Sequence, residues 1–233
     1  MEGLLYKDFY LLKGGIIFMA VFQLLISGTC ILLAGMDLGE LMTMVLLILC
    51  YYLPFLVLSM VNQQLFSQDE RRSWYHFVGS TPQSISGQIA GKYYMILIEN
   101  LILLLFCYYT DAIVVLVSGG AVISLAVIGM YLFCIRLFLQ AVETPFLVRF
   151  GANVGGSVKG ALLTVIAFMV ICYGLFGDIS FLFGDDPVAA FMNFLSSDNI
   201  LWILAAFPYV AVVSYYLSYK ISVRVYKEGV TYE

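Results

Sequence analysis

Gly14-Gly-Ile-Ile-Phe-Met-Ala-Val-Phe-Gln-Leu-Leu-Ile-Ser-Gly-Thr-Cys-Ile-Leu-Leu-Ala-Gly35 runs without one charged residue. At about 22 residues it is long enough to cross roughly 30 Å of hydrocarbon. It exceeds the roughly 7–15 residues of a signal-peptide core, and no small-x-small cleavage site stands out, so it reads as a retained first span. Five further apolar stretches follow it. Drawing six spans places every Lys and Arg on one side: Lys7, Lys13, Arg71, Arg72, Lys92, Arg136, Arg149, Lys159, Lys220, Arg224 and Lys227. The other side receives Asp37, Glu40, Asp178, Asp185, Asp186 and Asp198. Short loops rich in Lys and Arg stay in the cytoplasm. The reading is an all-α integral membrane protein of six transmembrane helices in the cell membrane, both termini cytoplasmic.

Composition agrees. A chain that is 63% hydrophobic and 11% charged, with mean hydropathy +0.99, is not an ordinary soluble domain. Six spans of about 20 residues leave no room for a soluble domain, so residues 1–233 are read as a single transmembrane unit. The net charge of −4 carries little information, because the charges are sorted by side. A basic inner face suits anionic membrane lipid, and no nucleic-acid partner is implied. Cys30, Cys50, Cys107, Cys134 and Cys172 all lie in apolar stretches and read as packing residues.

Residues 1–13 place Leu5, Phe9 and Leu12 at i, i+4, i+7, the pattern of a short interfacial helix. Span one is then Gly14–Gly35, an outer turn covers Met36–Glu40, and span two is Leu41–Val61 with a kink expected at Pro54. Residues 62–92 form the longest polar cytoplasmic stretch. Span three starts near Tyr93 and ends either at Tyr109 or at the Ser118-Gly119-Gly120 turn; the choice decides whether Asp111 lies in the membrane. Span four returns near Leu139. A cytoplasmic loop is expected over Gln140–Lys159, span five over Gly160–Phe176, and span six over Ile200–Tyr219. The outer segment 177–199 holds an apolar run, Val188–Leu195, read as a short interfacial or re-entrant helix.

Catalytic signatures are scarce. His76 is the one histidine and no GxSxG occurs, so a His-based metal site or a nucleophile elbow has no material. Gly151-Ala-Asn-Val-Gly-Gly-Ser157 has GxxxxG spacing with Ser157 where a phosphate loop has lysine. It reads as a flexible loop, and the chain is not an enzyme by itself.

The cytoplasmic insert is more informative: Gln68-Asp-Glu-Arg-Arg-Ser-Trp-Tyr-His-Phe-Val-Gly-Ser-Thr-Pro82. Trp74, Phe77 and Val78 stand at i, i+3, i+4 between an acidic start and a terminal proline. Two roles fit: an interfacial helix with aromatics at headgroup depth, or a docking helix for a soluble partner.

Here the sequence resembles a family. The opening Gly3-Leu-Leu-Tyr-Lys-Asp-Phe-Tyr-Leu-Leu-Lys13 is similar to the start of type-two ATP-binding-cassette (ABC) exporter permeases. Glu70, Trp74, Phe77, Thr81-Pro82 and Lys92-Tyr93 resemble that family's coupling-helix region. Pro145 and Arg149-Phe150-Gly151 resemble its loop between spans four and five, although Asn153, Val154 and two glycines stand where a Lys belongs. Within the family, the permeases of small peptide-toxin exporters of the phenol-soluble modulin type are the nearest likeness. The resemblance implies a half-transporter that pairs with a second permease copy, homo- or heterodimeric. A separate ABC ATPase subunit would bind ATP and Mg and seat on Glu70, Arg71, Trp74, Tyr75 and Phe77. Amphipathic or hydrophobic cargo would move outward, a peptide first and a lipid-like compound or drug second.

Intramembrane polar residues are costly, about 2.5–3.5 kcal/mol per central charge, and call for a role. Glu99 lies about 10 Å past Lys92 at 1.5 Å per residue, and Arg136 near the inner end of span four. They are expected to pair, either as a packing bridge or as a substrate contact. Gln23, Asn100 and Asp111 are the other candidates for a polar path. Readings from other classes are an ATPase-independent secondary transporter or channel and a non-transporting membrane sensor. A secondary transporter would show dense mid-membrane charge and inverted repeats, both weak here.

Overall fold

In the computed structural model, residues 2–36, 40–71, 84–119, 124–176 and 198–230 are described. They form six helices: α1 (Glu2–Ala34), α2 (Glu40–Arg71), α3 (Ser84–Val117), α4 (Ala126–Phe150), α5 (Ala152–Phe176) and α6 (Asp198–Val230). Successive helices run antiparallel, so the start of α1, end of α2, start of α3, end of α4, start of α5 and end of α6 share one end of the bundle. Among the described residues, that end carries most of the Lys and Arg. Five helices contain a stretch long and apolar enough to cross a membrane: Tyr6–Ala34, Val45–Ser67, Ser86–Val117, Ala126–Phe150 and Val154–Tyr173.

The helices outrun the bilayer. A 33-residue helix such as α1 is about 50 Å long at 1.5 Å per residue, against roughly 30 Å of hydrocarbon. Two readings are decided as a result. Residues 1–13 are no separate helix at the N-terminus, because α1 runs unbroken from Glu2. Within that first stretch Leu12 and Asp8 are buried, while Phe9 is exposed. Span three takes its longer option: α3 continues to Val117, and Gly119 at φ 62 makes the turn. Asp111 is therefore inside a helix.

The largest difference concerns residues 140–159. No loop is present; α4 runs to Phe150, and α5 starts at Ala152. Gly151 alone separates them, at φ 87 and ψ 173, a backbone state that a residue with a Cβ rarely adopts. Its N–H caps α4 by donating to the Leu147 carbonyl at 3.1 Å. The polar residues that suggested a loop face inward instead: Gln140, Glu143 and Thr144 are all buried. The glycine run is likewise no flexible loop. Gly155 and Gly156 sit in the first turns of α5, where a Cβ on Gly155 would overlap the Leu147 side chain and come within 3.0 Å of its backbone nitrogen.

The core lies mainly among α1 to α4. Leu12, Met19, Phe55, Leu58, Val61, Leu65, Met95, Ile96, Leu103 and Leu147 pack toward the basic end. Cys30, Leu47, Tyr51, Val114 and Leu125 fill the other end. Helix α6 packs most broadly on α4, through Ala211 against Cys134 and Leu137. Hydroxyls join it to α3: Tyr93 Oη lies 2.6 Å from Ser218 Oγ and 2.9 Å from Ser222 Oγ. The outward faces of α1 and α5, with Phe18, Leu24, Leu25, Phe168 and Met169, are largely exposed among the described residues, as apolar faces turned to lipid should be.

The α4–α5 corner can be tested directly. Gly155→Val should lower stability by about 1–3 kcal/mol, the cost of overpacking, read as an earlier thermal transition in detergent. Gly160→Val, where nothing lies within 4 Å of a Cβ, should leave the transition nearly unchanged.

Candidate functional site

Most of the charge inside the bundle lies in a layer toward the basic end, with Asp111 apart from it. Glu99 stands about 22 Å along α3 from Ser84, and Arg136 about 21 Å back along α4 from Phe150, at 1.5 Å per residue. Their depths match because α4 extends past the end expected for span four. Asn62 of α2 links them: with its amide oriented by its partners, Nδ2 donates to Glu99 Oε2 at 2.6 Å and Oδ1 accepts from Arg136 Nη2 at 3.0 Å. The expected pair is thus brought together through a side chain of a third helix.

About two turns toward the basic end along α4, a second set forms around Glu143. Gln63 Nε2 donates to Glu143 Oε1 at 2.8 Å. Lys159 Nζ reaches the same oxygen at 3.2 Å and also donates to Ser59 Oγ. Arg136 lies within electrostatic range of Glu143 as well as Glu99, so the two sets form one field. Two acids and two bases from α3, α4 and α5 cancel, with α2 supplying the uncharged bridges. Neutrality matters because breaking a buried pair by removing one partner leaves an uncompensated charge.

Local sequence explains the arrangement. Arg136, Gln140 and Glu143 fall at i, i+4, i+7, so α4 presents all three along one stripe. Ser59, Asn62 and Gln63 fall at i, i+3, i+4 on α2 and form the opposing stripe. Gly156 makes the approach possible: its missing side chain leaves room for the Gln63 amide, which would lie 3.2 Å from a Cβ there. Within the layer, Glu99 Oε1, Arg136 Nε, Gln140 Oε1 and Glu143 Oε2 have no hydrogen-bond partner among the described residues. The layer therefore keeps polar capacity beyond what holds the helices together.

The other candidates lie apart from this layer. Asn100 is fully buried and turns its amide back to the Ile96 carbonyl at 2.7 Å. Gln23 approaches Ser27 at 3.5 Å, and Ser27 contacts Thr110 at 2.8 Å, joining α1 to α3. Asp111 sits near the far end, where Oδ1 accepts from the Leu125 N–H at 2.8 Å and Oδ2 from Ser124 Oγ at 2.6 Å. It thereby caps the start of α4 from a neighbouring helix. Glu70 and Arg71 end α2, with their side chains outside the described residues; Trp74, Tyr75, Phe77 and the expected helix at 188–195 also lie outside them. Among the described residues, no three of His, Cys, Asp and Glu are grouped to hold a metal.

Ser59, Asn62, Gln63, Glu143 and Lys159 were not among the sequence candidates: Ser59 is an unremarkable small residue inside span two, and the other four fell in stretches read as cytoplasmic. The i, i+3, i+4 and i, i+4, i+7 spacings are the signal that marks them.

A lipid-spanning bundle with uncharged bridges between buried ion pairs fits a permease whose helices must be held in register. The chain matches the model of the ABC-2 family transporter proteins over residues 3–227. It belongs to that family. No curated protein and no solved structure matches it significantly. As an ABC-2 permease the chain is the membrane, non-catalytic component of an ABC transporter, and ATP is bound by the ATPase subunits with which such permeases pair. That membership decides against the channel, secondary-transporter and sensor readings.

Lys159→Met in this permease should cost toward the low end of the about 3–5 kcal/mol typical of a broken buried pair, since Lys159 is slightly exposed. Removing both charges, as Glu143→Gln with Lys159→Met, should recover a large part of that loss. Thermal unfolding of the two variants beside the parent measures both.

Proposed function

We propose that this permease is one half of a dimeric ABC exporter, with six spans and both termini in the cytoplasm, that expels amphipathic or hydrophobic cargo. The observation that supports the reading is that, among the described residues, Lys and Arg lie at or toward one end of the bundle, with Arg136 the deepest, in a chain of this family. Positively charged ends face the cytoplasm, and the α2–α3 connection, residues 72–83, leaves α2 at that end. Glu70, Arg71, Trp74, Tyr75 and Phe77 then face an ATPase from the cytoplasmic side. Asn199–Tyr219 carries no charge, which supports α6 as the sixth span.

The uncovered faces of α1 and α5 support pairing with a second copy beside lipid. Cargo is read from chemistry: 17 Tyr and 18 Phe supply aromatic walls that accept apolar faces without strict shape demands. A peptide of the toxin-exporter kind is the first candidate, as the resemblance implies, and a lipid-like compound the second. ATP binding would close the ATPase pair and shift the connections at the basic end, changing the packing of the helices around a central path.

Mild purification of the tagged chain from its native membranes should recover an ATPase in stoichiometric amount. Trp74→Ala with Phe77→Ala should weaken that association by about 2 kcal/mol or more, as expected for aromatic anchors. Trp74→Ala with Arg71→Glu should uncouple export while the permease stays folded. Recovery of the chain without an ATPase, or normal export by the second variant, would refute the docking assignment.

A further inference from the structure

Helix α4 supplies one member of each buried charge pair, and helix α2 touches both pairs with neutral side chains. Asn62 holds Glu99 at 2.6 Å and Arg136 at 3.0 Å. Gln63 holds Glu143 at 2.8 Å, and Ser59 accepts from Lys159. All three lie on one stripe of α2, and from Gln63 to Arg71 the helix continues unbroken for about 12 Å at 1.5 Å per residue. On the receiving side, α4 and α5 are joined by Gly151 alone and clamped across that joint by Glu143–Lys159 and by Gly155 against Leu147.

We propose that Ser59, Asn62 and Gln63 are positioning residues that carry a displacement of the basic end of α2 to the α4–α5 corner. This rests on the reading of residues 72–83 as the ATPase-docking connection. The physical reason lies in the difference between contact types. Where α2 meets α1, Val61 lies against Gly15; such apolar contacts slide, since one hydrocarbon neighbour replaces another at little cost. The bonds of Asn62 and Gln63 are directional and sit where no bulk water can take over a lost partner. Sliding α2 past α4 would break the bonds of Asn62 to Glu99 and Arg136 and of Gln63 to Glu143 at once. Moving the corner with α2 keeps every bond. The ion pairs make the corner stiff, and the amides tie it to the helix that leads to the motor. A chain of bonded groups between two rigid elements is the kind of physical link that transmits coupling.

The test is hydrogen exchange, read by mass spectrometry, on the permease with its ATPase in nanodiscs, with and without ATP plus orthovanadate. In the parent complex, nucleotide should change exchange both at the end of α2 and at residues 147–160. In Asn62→Leu/Gln63→Leu, the change at α2 should persist while that at 147–160 falls by about fivefold or more, the scale of a lost coupling between sites. Gln64→Leu, an exposed neighbour on the same helix, should leave both responses in place. A corner that still responds fully in the double variant overturns the proposal, as does a corner silent in the parent while α2 responds. If the double variant does not reach the membrane, Gln63→Leu alone decides: it leaves Glu143 bonded to Lys159, so an unchanged corner response overturns the proposal and a reduced one supports it. A parent complex that holds no ATPase, or whose α2 end ignores nucleotide, refutes the docking reading itself and the inference with it. That outcome is distinct from a failure of the amide link, in which docking and the α2 response are both intact.

Discussion

A hydrocarbon core offers no water to a buried charge, so a protein that places charge there must neutralise it from within. This bundle does so with Glu99, Arg136, Glu143 and Lys159, drawn from α3, α4 and α5 and balanced two against two. The rest of the basic half is arranged around that requirement. Helix α4 extends far enough to bring Arg136 level with Glu99. Helix α5 follows after one glycine, which lets Lys159 fold back onto Glu143. Helix α2 fills the gap between the pairs with amides and a hydroxyl, which satisfy charge without adding any.

The two ends of the molecule solve the same problem at different scales. At the far end, polar groups serve single joints: Asp111 caps α4, and Ser27 and Thr110 join α1 to α3. Near the basic end the polar groups merge into one network that crosses four helices. Glycine is used where that network needs close approach. Gly155 admits Leu147, Gly156 admits the Gln63 amide, and Gly151 supplies the backbone state at which two long helices meet with no loop between them.

Much of the fold was legible in residue order because a membrane imposes simple rules. Apolar runs of sufficient length mark spans, and the short turns between them make successive spans alternate in direction. Candidate residues in plainly apolar surroundings, such as Glu99 and Arg136, were legible for the same reason: a charge there stands out. Ser59, Asn62, Gln63, Glu143 and Lys159 did not stand out. Ser59 is a small residue inside an apolar run, and the other four lie at the ends of such runs, where polarity looks like solvent exposure unless the helix face is known.

The sequence by itself determined the class of protein, its spans and their alternation, and the short motifs by which it resembles exporter permeases. These follow from local quantities: hydropathy over some twenty residues and the sign of the charge at each end. Only the tertiary structure decided that residues 140–159 are two helices and a corner instead of a loop, that α3 takes its longer course, and that Asn62 stands between Glu99 and Arg136. Each depends on which faces of distant helices meet, and a buried polar residue has the same letter as an exposed one until its partner on another helix is in place.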